Sequence, residues 1–175
     1  MHRLSVDEFK AASKLPLIVV LDNVRSLHNV GSVLRSCDAF RVEAVYLCGI
    51  TATPPSAEIH KTALGAEDSV TWKYFAQTTD AIDELHAKGT KVFAVEQVAG
   101  STMLQNLDTE VGTRYAVVLG NEVKGVQQTV VDLCDGCLEI PQFGTKHSLN
   151  VSVAAGIVVW EFAKKIGKGE EVTRR

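Results

Sequence analysis

No uninterrupted apolar run in the 175 residues is long enough to span a bilayer, and the opening MHRLSVDEFKAASKLP carries charges where a secretory signal needs an apolar centre. The expectation is a cytoplasmic protein that does not meet the membrane. Positive charge is not in excess either. The formal net charge is -3, so there is no global pull towards nucleic acid, and an RNA partner would have to be met by a local patch. Cysteine is scarce: of four, only Cys134 and Cys137 in CDGC are close in sequence, with Cys37 and Cys48 far away. Without a second pair or a histidine cluster a tetrahedral zinc site is not completed. The pair reads as a redox motif, as half a metal site, or more simply as a turn entering a strand; no metal is expected. Phosphate-binding signatures are also missing. GNEVKG, residues 120–125, brackets four residues between glycines, but Val126 and Gln127 follow where a Walker loop needs Lys and then Ser or Thr. The spacing does not fit G-x-G-x-x-G, so the loop holds some other ligand or none.

What is present is an ordinary globular composition, 46% hydrophobic and 22% charged, in a chain of one-domain length that can bury a core without disulfides or metals. Ser5 with Glu8 three residues on forms a capping box for a short N-terminal helix that Pro16 would end. Nearly continuous apolar runs at 17–22, 43–48, 91–96, 115–120 and 137–141 have the pattern of strands covered on both faces. Helical segments are expected at 29–40, 78–88, about 126–134, and 148–166. This alternation predicts an α/β fold, a mostly parallel sheet with helices on both faces. The stretches around Pro54-Pro55 and from Gly100 to Thr113 read as loops, residues 1–15 as a helical extension, and the polar end from about 167 as a frayed tail. The last helix is apolar nearly all round and carries small Ser152, Ala154, Ala155 and Gly156 near its start, so it is expected in the core or against another subunit.

Three stretches hold the polar residues of interest. In DNVRSLHNVGSVLRSCDAF, the residues Val30, Val33, Leu34, Cys37 and Phe40 form a helical stripe that leaves Arg35 on the opposite side. Arg35 is either an exposed partner of Asp38 or a functional group, and Asn29 with Gly31 marks either a capped turn or a place where ligand approaches backbone. In VVLGNEVKGV, Gly120, Asn121 and Glu122 follow a buried strand, at the end where open α/β sheets bind ligands; Glu122 alone could equally cap the next helix. In IPQFGTKHSLNVSVAAGI, Ser148 is the expected N-cap, and Asn150 stands out because a buried amide needs partners.

Together and in this order, the three stretches resemble the motifs of the SpoU or TrmH family of the SPOUT class of RNA methyltransferases: Asn29-Val-Gly-Ser-Val-Leu-Arg35, Leu119-Gly-Asn-Glu-Val-Lys-Gly125, and Ile140-Pro-Gln-Phe-Gly-Thr-Lys-His-Ser-Leu-Asn-Val-Ser-Val-Ala154. The likeness runs from about residue 16 to 166. Val123 and Gln142 depart from it, standing where the family often has Gly and Met; neither is expected to abolish binding if the contacts there come largely from backbone. The resemblance implies a C-terminal deep trefoil knot, an exception to the rule that chains do not thread loops. It implies S-adenosyl-L-methionine as methyl donor, bound by Val95, Glu96, Leu119, Gly120, Asn121, Ile140, Pro141 and Leu149, and methyl transfer to a ribose 2'-hydroxyl. The substrate expected is tRNA, with rRNA, or a silent RNA- or donor-binding module, as alternatives. Arg35, Asn29, Glu122, Ser148 and Asn150 take the catalytic positions. Arg35 is assigned to charge stabilisation, since a guanidinium stays protonated. Candidate RNA contacts are Arg25, Arg41, Lys61, Lys124 and Lys146, each of which reads equally as a solvated surface charge. A homodimer is implied in which one chain's arginine serves the other's pocket.

Overall fold

The computed structural model describes residues 3–167. Most of the expected polar tail therefore lies outside the described residues. The N-terminal capping box forms as expected: the Ser5 hydroxyl accepts from the Glu8 amide at 3.2 Å and the Glu8 carboxylate accepts from the Ser5 amide at 2.6 Å, opening α1 (Val6–Ala11). The chain then runs β1 (Leu15–Asp22), α2 (Leu27–Ala39), β2 (Val42–Cys48), α3 (Ala57–Ala63), α4 (Ala66–Ser69), β3 (Trp72–Phe75), α5 (Thr78–Ala87), β4 (Lys91–Val95), β5 (Thr102–Met103), a 3₁₀ turn (Leu104–Asn106), β6 (Tyr115–Gly120), α6 (Gln128–Leu133), β7 (Gly136–Glu139) and α7 (Val151–Ile166).

The strands form one sheet in the order β3-β2-β1-β6-β4-β7-β5, and every pairing is parallel. A parallel sheet needs cover on both faces, and the alternation along each strand divides the core in two. Leu17, Val19 and Leu21 of β1 join Tyr115, Val117 and Leu119 of β6 under α2, α3, α4 and α7. Ile18 and Val20, with Ala116 and Val118, face the other way under α5 and α6.

The five expected strands are all present, and two more flank them. β3 and β5 escape the hydrophobic reading because each is an outer strand of the sheet; β3 reads WKYF with mixed burial, and β5 has two residues. The stretch around Pro54-Pro55 is a loop, as expected, and it leads into α3 and α4, which are too short for a periodic signal and are anchored by Ile59, Ala63 and Ala66. Ile140 and Pro141, expected in the last strand, lie beyond its end at Glu139. Cys134 and Cys137 lie where α6 turns into β7, so the turn reading holds. The Cys134 thiol donates to the Val130 carbonyl at 3.2 Å and is pushed up to about 12, by burial above all and then by neighbouring negative charge. Among the described residues, no group of His, Cys, Asp and Glu could hold a metal, and no helix is long and apolar enough to cross a membrane.

The C-terminal helix is two-faced. Val151, Ala155, Val158, Val159 and Phe162 are buried, whereas Val153, Ile157 and Trp160 are exposed on the other side. Phe162 meets the Tyr115 ring at 5.5 Å between centroids. Because Phe162 is fully buried, Phe162→Ala should lower stability by about 3–5 kcal/mol through lost transfer energy and the cavity left behind, measured as a shift in the urea unfolding midpoint.

Candidate active site

The carboxyl ends of β6, β4 and β7, three neighbours in the sheet, open into a cavity of about 360 Å³. That is within the usual size of a small-molecule site. Leu119, Leu138, Ile140, Leu149, Val151 and Ala154 give it apolar surface; Glu96, Gln97, Asn121, Glu122, Glu139 and Gln142 add polar groups. One wall is the segment after β6. There the chain doubles back: Asn121 and Gly125 exchange backbone hydrogen bonds at 3.0 and 2.9 Å, and Gly125 has φ +70°. A Cβ on Gly120 would sit 2.2 Å from the Gly125 carbonyl carbon and the Val126 nitrogen, so only glycine permits this closure. The Asn121 side chain braces the bend. Its Oδ1 accepts from the Val123 and Lys124 amides at 2.9 and 3.0 Å, and its Nδ2 donates to the Asn23 carbonyl at 2.8 Å. Glu96, at the end of β4, accepts from the Val126 amide at 2.6 Å.

Glu122 reaches out of this loop to the first stretch. Its carboxylate accepts from the backbone amides of Arg25 and Ser26, both at 2.9 Å, and from Asn29 Nδ2 at 3.1 Å. Asn29 Oδ1 in turn accepts from Asn150 Nδ2 at 3.2 Å. One chain of hydrogen bonds, Glu122 to Asn29 to Asn150, thus joins residues 93 and 121 positions apart. Glu122 does not cap the helix after its own loop; it serves the segment leading into α2.

Local chemistry explains these placements and corrects several expectations. The N-cap of α2 is Ser26, whose hydroxyl accepts from the Asn29 amide, so Asn29 lies in the first turn with its side chain free for Glu122 and Asn150. Gly31 is not a point of ligand approach: a Cβ there would meet Thr62 Oγ1 at 2.1 Å and the Ile59 carbonyl at 2.3 Å, so its bareness lets α2 and α3 pack. Ser148 is not the N-cap of α7. Asn150 is, with its Oδ1 accepting from the Ser152 and Val153 amides at 2.9 and 3.3 Å. Asn150 is exposed, so its amide carries no burial cost. Ser148 instead lines the cavity.

Arg35 is exposed on α2 and, among the described residues, has neither ion pair nor hydrogen bond. The expected partner, Asp38, accepts from Ser69 Oγ at 2.5 Å instead. Arg35, Asn29 and Asn150 do not line the cavity. Of the residues expected to bind cofactor, Val95, Glu96, Leu119, Gly120, Asn121, Ile140 and Leu149 line it, and Pro141 does not. Lys124 is on its wall; Lys146 is exposed in the loop that supplies Gln142, His147, Ser148 and Leu149, and Arg25 is exposed beside Glu122. Arg41 stands apart, leading into β2 at the opposite end of the sheet, and Lys61 pairs with Glu58 at 2.8 Å. Gln97, Leu138, Glu139, His147, Val151 and Ala154 also line the cavity and were not expected. Glu139, whose Oε2 accepts from Ser101 Oγ at 2.5 Å, had the same signal as Glu96, an acid closing an apolar strand.

Partial burial acts to raise the pKa of Glu122, but the Arg25 and Ser26 amides and the Asn29 side chain together outweigh it and hold the carboxyl below its ordinary value of 4.5. A lowered folded pKa contributes stability that is present above the unfolded value and lost as pH falls through the folded one. The stability difference between the protein and its Glu122→Gln variant should therefore be constant above about pH 5 and shrink below about pH 4, as read by urea unfolding across that range.

Residues 16–160 match the model of the SpoU rRNA Methylase family. A 23S rRNA (guanosine-2'-O-)-methyltransferase, RlmB, of Nitrosomonas europaea is 36% identical over 89% of this chain and 58% of its own length. A putative TrmH family tRNA/rRNA methyltransferase of Staphylococcus aureus is 32% identical over 92% of this chain and 64% of its own. The chain thus spans roughly three fifths of the length of these relatives. Among solved structures, the TrmH/SpoU tRNA modifying enzyme of A. aeolicus superposes with a TM-score of 0.80 at 26% identity, covering 91% of this chain and 81% of that one. An AdoMet-bound rRNA methyltransferase from Sinorhizobium meliloti gives 0.79 at 29% identity, covering 87% and 60%. With the match running through all three stretches, this chain belongs to the SpoU rRNA methylase family.

Proposed function

We propose that the protein is an S-adenosyl-L-methionine-dependent methyltransferase that acts on a ribose 2'-hydroxyl of RNA. The observation that carries this reading is the Glu122–Asn29–Asn150 chain, which ties the three motifs together beside a cavity walled by the second and third. The cavity suits the donor: apolar side chains for an adenine, backbone and amide groups for its polar edge, and carboxylates for a cationic centre. When bound there, the donor supplies a methyl group on a positively charged sulfonium. Transfer would join the ribose oxygen to the methyl carbon and break the carbon–sulfur bond, whose electron pair would stay on sulfur, while the hydroxyl proton would pass to bulk water.

The residues divide this work. The Arg35 guanidinium, whose side chain has no partner among the described residues, stabilises the developing oxyanion and orients a phosphate. Asn29 and Asn150 position the reacting groups, Glu122 fixes the entry to α2, and Ser148 contacts phosphate from the cavity rim. Arg25, Lys124 and Lys146 cluster on this side and meet the RNA backbone; Arg41, at the far end of the sheet, is a weaker contact. The RNA pool expected is tRNA, and the names of the relatives span both 23S rRNA and tRNA.

The reading includes one domain in the cytoplasm, the trefoil knot of the C-terminal part, and a homodimer. The exposed stripe of Val153, Ile157 and Trp160, spaced along one side of α7, supports pairing through that helix. A two-fold dimer would bring a second chain's Arg35 to each cavity. Trp160→Glu should leave the fold intact by circular dichroism and halve the mass in sedimentation. Arg35→Ala should keep donor affinity but lower the rate of methyl transfer by about 100-fold or more, measured with labelled donor and separate tRNA and rRNA pools. Label mapping to a 2'-O-methylated nucleoside is the expected result; a fully active Arg35→Ala variant would remove the assigned role.

A further inference from the structure

Asp22 is the last residue of β1 and is fully buried. Among the described residues it has no cationic partner. Its Oδ1 accepts from Thr78 Oγ1 and Gln127 Nε2, both at 2.6 Å, and its Oδ2 accepts from the Gln127 backbone amide at 2.8 Å. Thr78 opens α5, so the positive end of that helix also favours the carboxylate. A buried carboxylate is costly unless its oxygens are satisfied, and here both are.

The position of these donors matters. Gln127 directly follows the glycine loop, and Asp22 is in register with Gly120, the residue that enters it. The loop is thus pinned where it enters and where it leaves: the Asn121–Gly125 pair closes it, Glu96 takes the Val126 amide, and Asp22 takes the next one. Asp22 does not line the cavity. We infer that Asp22, with Thr78 and Gln127, is a positioning residue that sets the shape of the 120–126 wall from beneath. The inference rests on the donor-pocket reading for its affinity consequence, though not for its structural one.

Hydrogen bonding, not charge as such, is what the loop needs. An asparagine retains a carbonyl oxygen for the Gln127 amide. Its NH2 can donate to the Thr78 hydroxyl, which accepts as readily as it donates, and the Gln127 carboxamide can turn over to match. Alanine leaves the Gln127 backbone amide without its acceptor.

The test compares wild type, Asp22→Asn, Asp22→Ala and the near-isosteric Thr78→Val, using S-adenosyl-L-methionine binding by calorimetry and amide hydrogen exchange of the unliganded protein. Asp22→Ala should weaken donor binding by about tenfold or more and speed exchange selectively at residues 121–127, with the amides of β1 and β6 still protected. Asp22→Asn should stay within about threefold of wild type, and Thr78→Val should fall between the two. If Asp22→Ala does not fold, the order wild type, Asn, Val in loop exchange still decides. Wild-type affinity and unchanged loop exchange in the weaker variants would overturn the inference. So would acceleration spread evenly over the core, which would mark Asp22 as merely structural. Wild type that fails to bind donor would sink the functional reading, while the exchange pattern would still judge the role of Asp22.

Discussion

All-parallel pairing is the constraint from which the rest of the molecule follows. Parallel neighbours need crossovers, and the crossovers lay helices on both faces, which is why β1 is buried along most of its length and alternates between two separate cores. The same arrangement sends every strand's carboxyl end to one edge. Asp22, Val95, Gly120 and Glu139 all end their strands there. Chemistry gathers at this edge because the chain leaves regular structure where backbone amides and carbonyls become available to side chains and ligands.

At that edge, acids hold the backbone in place. Glu122 grips the approach to α2, Glu96 and Asp22 grip successive amides at the exit of the glycine loop, and Glu139 meets Ser101. Three of these four carboxylates also face the cavity. An overall charge of -3 and an acidic cavity are a poor match for a phosphate ligand, and a reasonable one for a small cation. Of the cations proposed to face RNA, Lys124 stands on the cavity wall, while Arg25, Lys146 and the unpaired Arg35 do not line it. In the proposed reading the carboxylates serve a cationic donor and the cations around them serve RNA, on a protein whose net charge of -3 gives no global attraction to it.

Much of this was legible in the residues. The long apolar runs marked β1, β2, β4, β6 and β7 because burial on both faces removes the polar alternation. The capping box at Ser5 was legible because its two hydrogen bonds are local. Outer strands such as β3 were not, since a half-exposed WKYF carries no strong period, nor were α3 and α4, whose anchors are only Ile59, Ala63 and Ala66. The polar residues of interest were singled out by the resemblance of three stretches to a family's motifs. Their local roles were less well read: Ser148 gave way to Asn150 as the cap, Gly31 turned out to serve helix packing, and Asp38 prefers Ser69 to Arg35.

By itself, then, the sequence determined the α/β class, the parallel core and the identity of the polar residues in each motif, because these depend on patterns within a few turns or strands of chain. Only the tertiary structure decided that Glu122 would meet Asn29, that Asn29 would meet Asn150, and that Asp22 would hold Gln127 across 105 positions. Such contacts depend on strand order and on where each crossover returns. No local period encodes either.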